Sequence, residues 1–277
     1  MEKFIKSPLN YVGGKYKLLK DIIPLFPTDI RNFVDLFGGG FNVGINVKAE
    51  AVIYNDAENH VVELMKYLKN HSTEELLNEI DFLIGKYNLS KENAEGYCDL
   101  REYYNNNECS PMVFYTLICY AFNNQIRFNN SGKYNMPFGK DRSSFNPALR
   151  QKFIDFVGEL HNKKVAFVNR TFDKLDISSL KSNDFIYCDP PYLNSVATYN
   201  EQGGWGEQKE KLLLDMLDKA NESGIRFALS NNLKYENPLL DMWKDKYNIH
   251  YLDANYSNCN YQKQDKSKDI EVLITNY

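Results

Sequence analysis

Asp189-Pro190-Pro191-Tyr192 is the stretch with the clearest chemical content. It follows Asp184-Phe185-Ile186-Tyr187-Cys188, an apolar run that reads as a buried strand with Asp184 at its mouth. Neither proline has an N–H to donate, so neither can continue a central strand. The strand stops, and a stiff turn holds a carboxylate, two carbonyls and an aromatic ring at its carboxyl end. In an open α/β sheet that edge is where ligands sit. The oxygens suit an amine that must shed a proton, and the ring suits a flat base. Four residues leave a plainer reading equally open, in which Pro-Pro ends a strand and Tyr192 packs.

The elements that must hold this turn begin near the N-terminus. Gly13-Gly14 reads as a turn, Lys15 follows it, and Tyr16 to Ile23 reads as a short helix ended by Pro24. A lysine at such a helix start can bind a carboxylate or phosphate, or simply face solvent. Asn32 to Phe37 reads as a buried strand running into Gly38-Gly39-Gly40, and Phe41 to Ala49 as a helix. Strand, glycine turn and helix open a nucleotide-binding doubly wound sheet. The dinucleotide fingerprint is absent, because its third glycine would fall on Val43 and Gly44 comes one residue late. A second strand, Ala51 to Asn55, ends in Asp56. An acid there accepts ribose hydroxyls, or it caps the helix predicted over Ala57 to Lys69.

Residues 70 to 160 read as mostly helical, with helices over Thr73 to Gly85, Ser90 to Asn105 and Pro111 to Phe122. The pattern then breaks. Phe122 to Lys140 mixes amides, aromatics and basic groups, with Asn130-Ser131-Gly132 as a hairpin turn between short strands. Arg bridges guanine, Asn and Gln bridge adenine, and aromatics wedge into stacks. Strands resume at Val165 to Asn169, before Phe172-Asp173, and continue at Arg226 to Ser230, Asn248 to Leu252 and Glu271 to Thr275. Thr198 to Gly206 reads as a mobile loop beside the site.

Composition bounds the rest. The chain has 277 residues and a formal net charge of -4. No apolar run is long enough to span a bilayer, and the start lacks the apolar stretch of a signal peptide. The five cysteines are scattered without metal spacing, which points to reduced thiols in a cytoplasm and to no metal site. Charge is uneven. Glu50 to Glu108 is acidic, Cys109 to Ile154 is basic, and Lys263, Lys266 and Lys268 form a second basic cluster. Such asymmetry marks either a nucleic-acid face or a solvated surface.

The order Asn10-Tyr11-Val12-Gly13-Gly14-Lys15, Asp35-Leu36-Phe37-Gly38-Gly39-Gly40, Asp56, Arg127-Phe128-Asn129, Asn135-Met136-Pro137-Phe138-Gly139, Asp189-Pro190-Pro191-Tyr192 and Glu271 to Tyr277 resembles the Dam-type (D12 class, alpha group) DNA adenine methyltransferases over nearly the whole chain. The resemblance implies an α/β fold: a Rossmann-like class I sheet of seven strands, the last antiparallel, with an inserted, mainly helical DNA-recognition domain containing a β-hairpin. Residues 1–56 and 161–277 would form the catalytic domain and 57–160 the recognition domain. It implies S-adenosyl-L-methionine as cofactor, held by Tyr11, Lys15, Asp35, Phe37, Gly38, Gly40, Asp56, Phe172, Asp173 and Asp189.

Asp189, Pro190 and Tyr192 would carry catalysis: the first two accept the N–H groups of a flipped adenine, and Tyr192 stacks on it. Asn123, Asn124, Gln125, Arg127, Asn129, Lys133, Asn135, Pro137 and Lys140 would meet double-stranded DNA. The implied target is a short GATC-like site. Against that, Gln125 stands where many members carry an apolar side chain suited to a thymine methyl. A cognate restriction endonuclease and a monomeric or weakly dimeric state belong to the same expectation. The rival readings are transfer to RNA adenine, cytosine or protein glutamine, a catalytically silent DNA-binding regulator, and a dinucleotide-dependent oxidoreductase, which the glycine spacing disfavours.

Overall fold

The computed structural model describes residues 3–11, 13–195, 204–252 and 270–277. The basic cluster at Lys263, Lys266 and Lys268 lies outside these residues, as do Cys259 and most of the loop from Thr198. The chain divides into two compact units. Residues 15–57 and 164–277 form one, and residues 1–14 and 58–163 the other. Residues 1–14, expected from the sequence to open the sheet domain, therefore cluster with the helices.

The sheet unit contains seven strands: β1 (Asn32–Asp35), β2 (Ala51–Asp56), β3 (Val165–Asn169), β4 (Phe185–Cys188), β5 (Arg226–Asn232), β6 (Asn248–Leu252) and β7 (Glu271–Thr275). Their order is β3-β2-β1-β4-β5-β7-β6. β7 runs antiparallel to both neighbours, as expected. From β1 the chain builds outwards through β2 and β3, then returns to place β4 on the other side of β1. The strand order thus reverses between β1 and β4, and a doubly wound sheet opens its crevice at that reversal.

Strands buried on both faces read as continuous apolar runs, and β4 and β7 are buried throughout. Val34, Ile186, Phe227, Leu229, Val272 and Ile274 share one core with the helix Glu207–Glu222. Phe33, Phe185 and Tyr187 stack with Phe26 in an aromatic group. The amino end of β4 is tied by Asp184. Its carboxylate accepts from Arg31 Nε and Nη2 at 2.9 and 2.6 Å, and from Asn32 and the Lys181 N–H. Burial pushes this carboxyl up, but Arg31 and the N–H donors outweigh it and hold its pKa below the usual range.

The predicted helix over Phe41 to Ala49 is a run of turns. Phe41 adopts φ 62°, and the Gly44 N–H donates to the Asp35 carboxylate at 3.2 Å instead of continuing a helical ladder. Alternating β-branched Val43, Ile45 and Val47 also disfavour a helix.

The helical unit holds Asn59–Asn70, Thr73–Lys86, Ala94–Asn106, Pro111–Tyr120 and Pro147–Asn162. The helix Pro111–Tyr120 is buried from Met112 to Tyr120, as an all-apolar helix must be. Ser72 and Glu75 form a reciprocal capping box at the second helix. Asp56 is not a helix cap: Glu58 occupies that position. The predicted hairpin strands are absent among the described residues. Two isolated bridges, Phe128 to Tyr134 and Ala121 to Phe138, replace them.

Asp184→Ala should leave Arg31 and two backbone N–H groups without their acceptor. We expect a loss of about 3 kcal/mol in urea unfolding.

Candidate active site

The carboxyl edge of the parallel strands collects acids. Asp35 ends β1, Asp56 ends β2, and Asp189 follows β4. β7 is antiparallel, so its first residue, Glu271, reaches the same edge opposite Asn232 of β5. Lys15 opens a short 3-10 helix and sends its ammonium into this group. Its Nζ lies 2.7 Å from Asp189 Oδ1, with the lysine side chain 2% exposed. The Tyr192 hydroxyl donates to Glu271 Oε2 at 3.0 Å and lies 3.4 Å from Asp189 Oδ1. Lys15 Nζ also sits 5.1 Å from the centre of the Tyr192 ring, within cation–π range.

Burial raises the Asp189 pKa, and Lys15 and Tyr192 pull it part of the way back. Glu271 is raised by burial too, against Lys15, Asn232 and Tyr192. Asp35 is pushed up to about 8, first by burial and further by the negative charges of Asp189 and Asp56, while the Gly44 N–H opposes them. These carboxyl groups give the edge a set of oxygen acceptors for a ligand that carries N–H or O–H groups.

The glycine loop is a framework as much as a cradle. Gly38 N–H donates to the Asn55 carbonyl at 2.7 Å, and Gly39 N–H to Asp56 Oδ2 at 2.7 Å. A Cβ on Gly38 would fall 2.3 Å from the Tyr54 ring, so packing alone demands glycine there. Gly40 is buried. Asn55 spends its amide on the Leu36 and Arg170 carbonyls, while its buried Oδ1 has no hydrogen-bond partner among the described residues. Phe172 is buried against Phe37 and Trp205, with ring centres 5.4 to 5.6 Å apart. Asp173 is exposed; its pKa is held low by the Thr171 hydroxyl and then by Lys174, against slight burial.

A model of the D12 class N6 adenine-specific DNA methyltransferases matches residues 11–258. The chain belongs to this family. It is 50% identical to the type II methyltransferase M.FokI of Planomicrobium okeanokoites over 99% of its own length and 43% of that protein. It is 43% identical to the modification methylase StsI of Streptococcus sanguinis, over all of this chain and 43% of that one. A DNA adenine methylase of Vibrio cholerae is 26% identical over 81% of this chain and 80% of its own. The chain therefore spans less than half the length of the first two relatives.

For a family member, the oxygen acceptors of this edge fit a methyl donor with hydrogen-bonding groups, and the orphaned Asn55 Oδ1 fits a ligand donor beside the glycine loop. The sheet unit brings together Lys15, Asp35, Phe37, Gly38, Gly40, Asp56, Phe172, Asp173, Asp189, Pro190 and Tyr192. Tyr11 belongs to the helical unit, where its carbonyl accepts from Gly14 N–H at 3.2 Å. Glu271 and Asn232 are not among the site residues that the sequence suggests. The available signal was an acid opening an otherwise apolar, buried strand.

The basic insert lies wholly in the helical unit. Its turn is closed by Asn129, whose Oδ1 accepts from the N–H groups of Ser131 and Lys133 at 3.0 Å each. Asn124 donates to the last carbonyls of the helix Pro111–Tyr120. The backbone carbonyl of Gln125 accepts from the Tyr134 hydroxyl at 3.1 Å, and that of Asn123 from the Asn10 amide at 2.7 Å. Arg127 is held by Asn135 through two bonds, to Oδ1 at 2.8 Å and to the carbonyl at 2.9 Å. Phe128 stacks on His60 with ring centres 4.4 Å apart. Buried Tyr134 and Met136 anchor the segment, while Asn123, Arg127, Lys133, Pro137 and Lys140 are exposed. No described helix is long and apolar enough to cross a membrane.

Because Asp35 is neutral in the fold to about pH 8 but ionised in the unfolded chain above about pH 4, the folded state holds the extra proton between those limits. Stability from this group must fall as pH rises through that window. Asp35→Asn keeps an acceptor for Gly44 and removes the titration. From pH 5 to 8 the wild type should lose on the order of 3 kcal/mol relative to this variant in urea melts.

Proposed function

We propose that the chain transfers a methyl group from S-adenosyl-L-methionine to the exocyclic amine of adenine in double-stranded DNA. The observation that carries this reading is Lys15, Asp189 and Tyr192 meeting at the topological switch point of the sheet. The adenine nitrogen is a weak nucleophile because its lone pair is spread into the ring. Asp189 and the Pro190 carbonyl supply fixed oxygen acceptors for its two N–H groups, which returns electron density to nitrogen; as the N–CH3 bond forms and the S–CH3 bond breaks, one amine proton leaves, eventually to water. Preorganised acceptors need no rearrangement as charge develops.

The cofactor, when bound, supplies an electrophilic methyl group. Lys15, Asp35, Phe37, Gly38, Gly40, Asp56, Phe172 and Asp173 are the residues that would hold it within the sheet unit, with Tyr11 contributed by the opening motif. Lys15 would serve its carboxylate and Asp56 its ribose. The ionic contact between Lys15 and Asp189 also offsets part of the rise that burial imposes on the Asp189 pKa. The exocyclic amine is not exposed for this geometry inside a duplex, so the base must be flipped out, at a cost of a few kcal/mol. The half-buried Tyr192 ring offers it a stacking surface.

Residues 58–163 would recognise the DNA. Asn135 fixes the Arg127 guanidinium as a planar fork, the form that reads guanine. Gln125 beside it argues for a short, adenine-containing site that departs from GATC. Asn123, Lys133, Pro137 and Lys140 present the exposed face of the insert, while Asn124 and Asn129 hold its backbone. The relative named as a modification methylase supports a restriction-modification role. A bacterial cytoplasm, a cognate endonuclease and a monomer or weak dimer as the working form complete the proposal.

Labelled S-adenosyl-L-methionine incubated with duplex DNA, RNA and protein tests the reading: label should appear as 6-methyladenine in duplex DNA alone. Asp189→Ala should abolish that label while leaving a folded protein, and full activity in the variant would refute the assignment. Lys133→Ala with Lys140→Ala should weaken binding to all duplexes alike. The dependence of affinity on salt should flatten as well, by about one unit of slope for each phosphate no longer neutralised.

A further inference from the structure

Glu271 stands 79 positions beyond Tyr192, yet its side chain is fully engaged at the active edge. Oε2 accepts from the Tyr192 hydroxyl at 3.0 Å, and Oε1 accepts from Asn232 Nδ2 at 2.9 Å. Glu271 is 3% exposed and Asn232 4%. A buried carboxylate is costly unless hydrogen bonds compensate its desolvation, and here two donors do so.

The hydroxyl of Tyr192 has one proton and two carboxylates within reach. The 3.0 Å contact to Glu271 is of ordinary strength, and the 3.4 Å contact to Asp189 is long. The proton therefore goes to Glu271. We propose that Glu271 is a positioning residue that draws the Tyr192 phenol proton away from Asp189, so that the Asp189 carboxylate stays an acceptor for the substrate amine. This rests on the proposed transfer to an amine. A phenol that donated to Asp189 would be a second donor on Oδ1, which already takes the Lys15 ammonium at 2.7 Å, and would weaken the carboxylate as an acceptor for the amine.

The neighbours dictate what a conservative change must do. Asn232 Oδ1 already accepts from the Lys234 N–H at 3.0 Å, so Asn232 can only donate to residue 271. In Glu271→Gln the amide carbonyl must face Asn232, and the amide NH2 must face Tyr192. The phenol oxygen then becomes an acceptor, and its proton turns to Asp189. A change of one atom thus reverses the direction of the bond without emptying the site.

The test compares the wild type, Glu271→Gln, and Glu271→Gln combined with Tyr192→Phe. The readouts are single-turnover methyl transfer to mixed-sequence duplex DNA and duplex affinity by fluorescence anisotropy. Glu271→Gln should slow transfer on the order of tenfold to a hundredfold with duplex Kd nearly unchanged. Adding Tyr192→Phe, which removes the misdirected hydroxyl and keeps the ring, should recover much of that loss. A merely structural role for Glu271 predicts that the second change deepens the defect. Glu271→Met, whose thioether is only a weak acceptor, should show the same loss and the same recovery, and it serves if the glutamine variant folds poorly. An unslowed Glu271→Gln, or a double variant no faster than the single, overturns the proposal.

A crystal structure of Glu271→Gln separates this from the reading of the substrate. The Tyr192 hydroxyl to Asp189 distance should shorten from 3.4 Å to about 2.7 Å. An unchanged distance sinks the proposal even if DNA is methylated, and a wild type that leaves DNA unlabelled sinks the substrate reading even if the distance shortens.

Discussion

The buried contact between Lys15 and Asp189 is the interaction around which the active edge is built. The Asp189 side chain is 20% exposed, and desolvation still raises its pKa. Lys15 supplies the compensating charge at 2.7 Å, and its own side chain is almost wholly enclosed. Such pairs contribute little net stability, because desolvation cancels most of the attraction. Here the pair fixes one geometry, with Lys15 Nζ directed at Asp189 Oδ1. Lys15 begins a short 3-10 helix and Asp189 begins the proline turn, and the two meet at the edge where strand order reverses.

The surrounding acids are graded by their partners. Asp56 has the Gly39 N–H, Asp189 has a lysine, Glu271 has a phenol and an amide, and Asp35 has the Gly44 N–H at the longer distance of 3.2 Å. Burial therefore wins at Asp35 and lifts its pKa to about 8, so it sits in the fold as a neutral group at modest pH. A neutral Asp35 lessens repulsion with Asp189 and Asp56. The edge thereby carries several carboxyl groups without the full negative charge that their number suggests.

Much of this is legible in residue order. Six of the seven strands stand out as apolar runs, while β6, at the rim of the sheet and exposed at Asn248 and Tyr251, is the weaker signal; the Pro-Pro turn marks the end of β4 without ambiguity. The exceptions share a cause. Phe41 to Ala49 follows a glycine turn where a helix is expected, but the Asp35 carboxylate captures the Gly44 N–H, a bond between residues nine apart that local pattern cannot reveal. Asp56 precedes a helix and suits a cap, but the donor it serves is Gly39, on the neighbouring loop. The asparagines of the insert look alike in sequence, yet Asn124 and Asn129 bind the protein's own backbone while Asn135 fixes Arg127. Composition identifies a polar segment; only the fold divides it between framework and face.

Glu271 shows why the reversed strand matters for chemistry as well as for closing the sheet. A parallel strand brings its last residue to the active edge, so a parallel β7 would offer Thr275 there. The antiparallel register instead places Glu271 opposite Asn232 and leaves Thr275 opposite Ala228, at the far end of the pair. The apolar interior, Val272 to Ile274, packs in the core in either direction. Direction therefore decides which polar end of the strand meets Tyr192, and the acid is delivered from a segment that follows the proline turn by 79 positions. Sheet topology in this way supplies the group that sets the direction of the Tyr192 hydrogen bond.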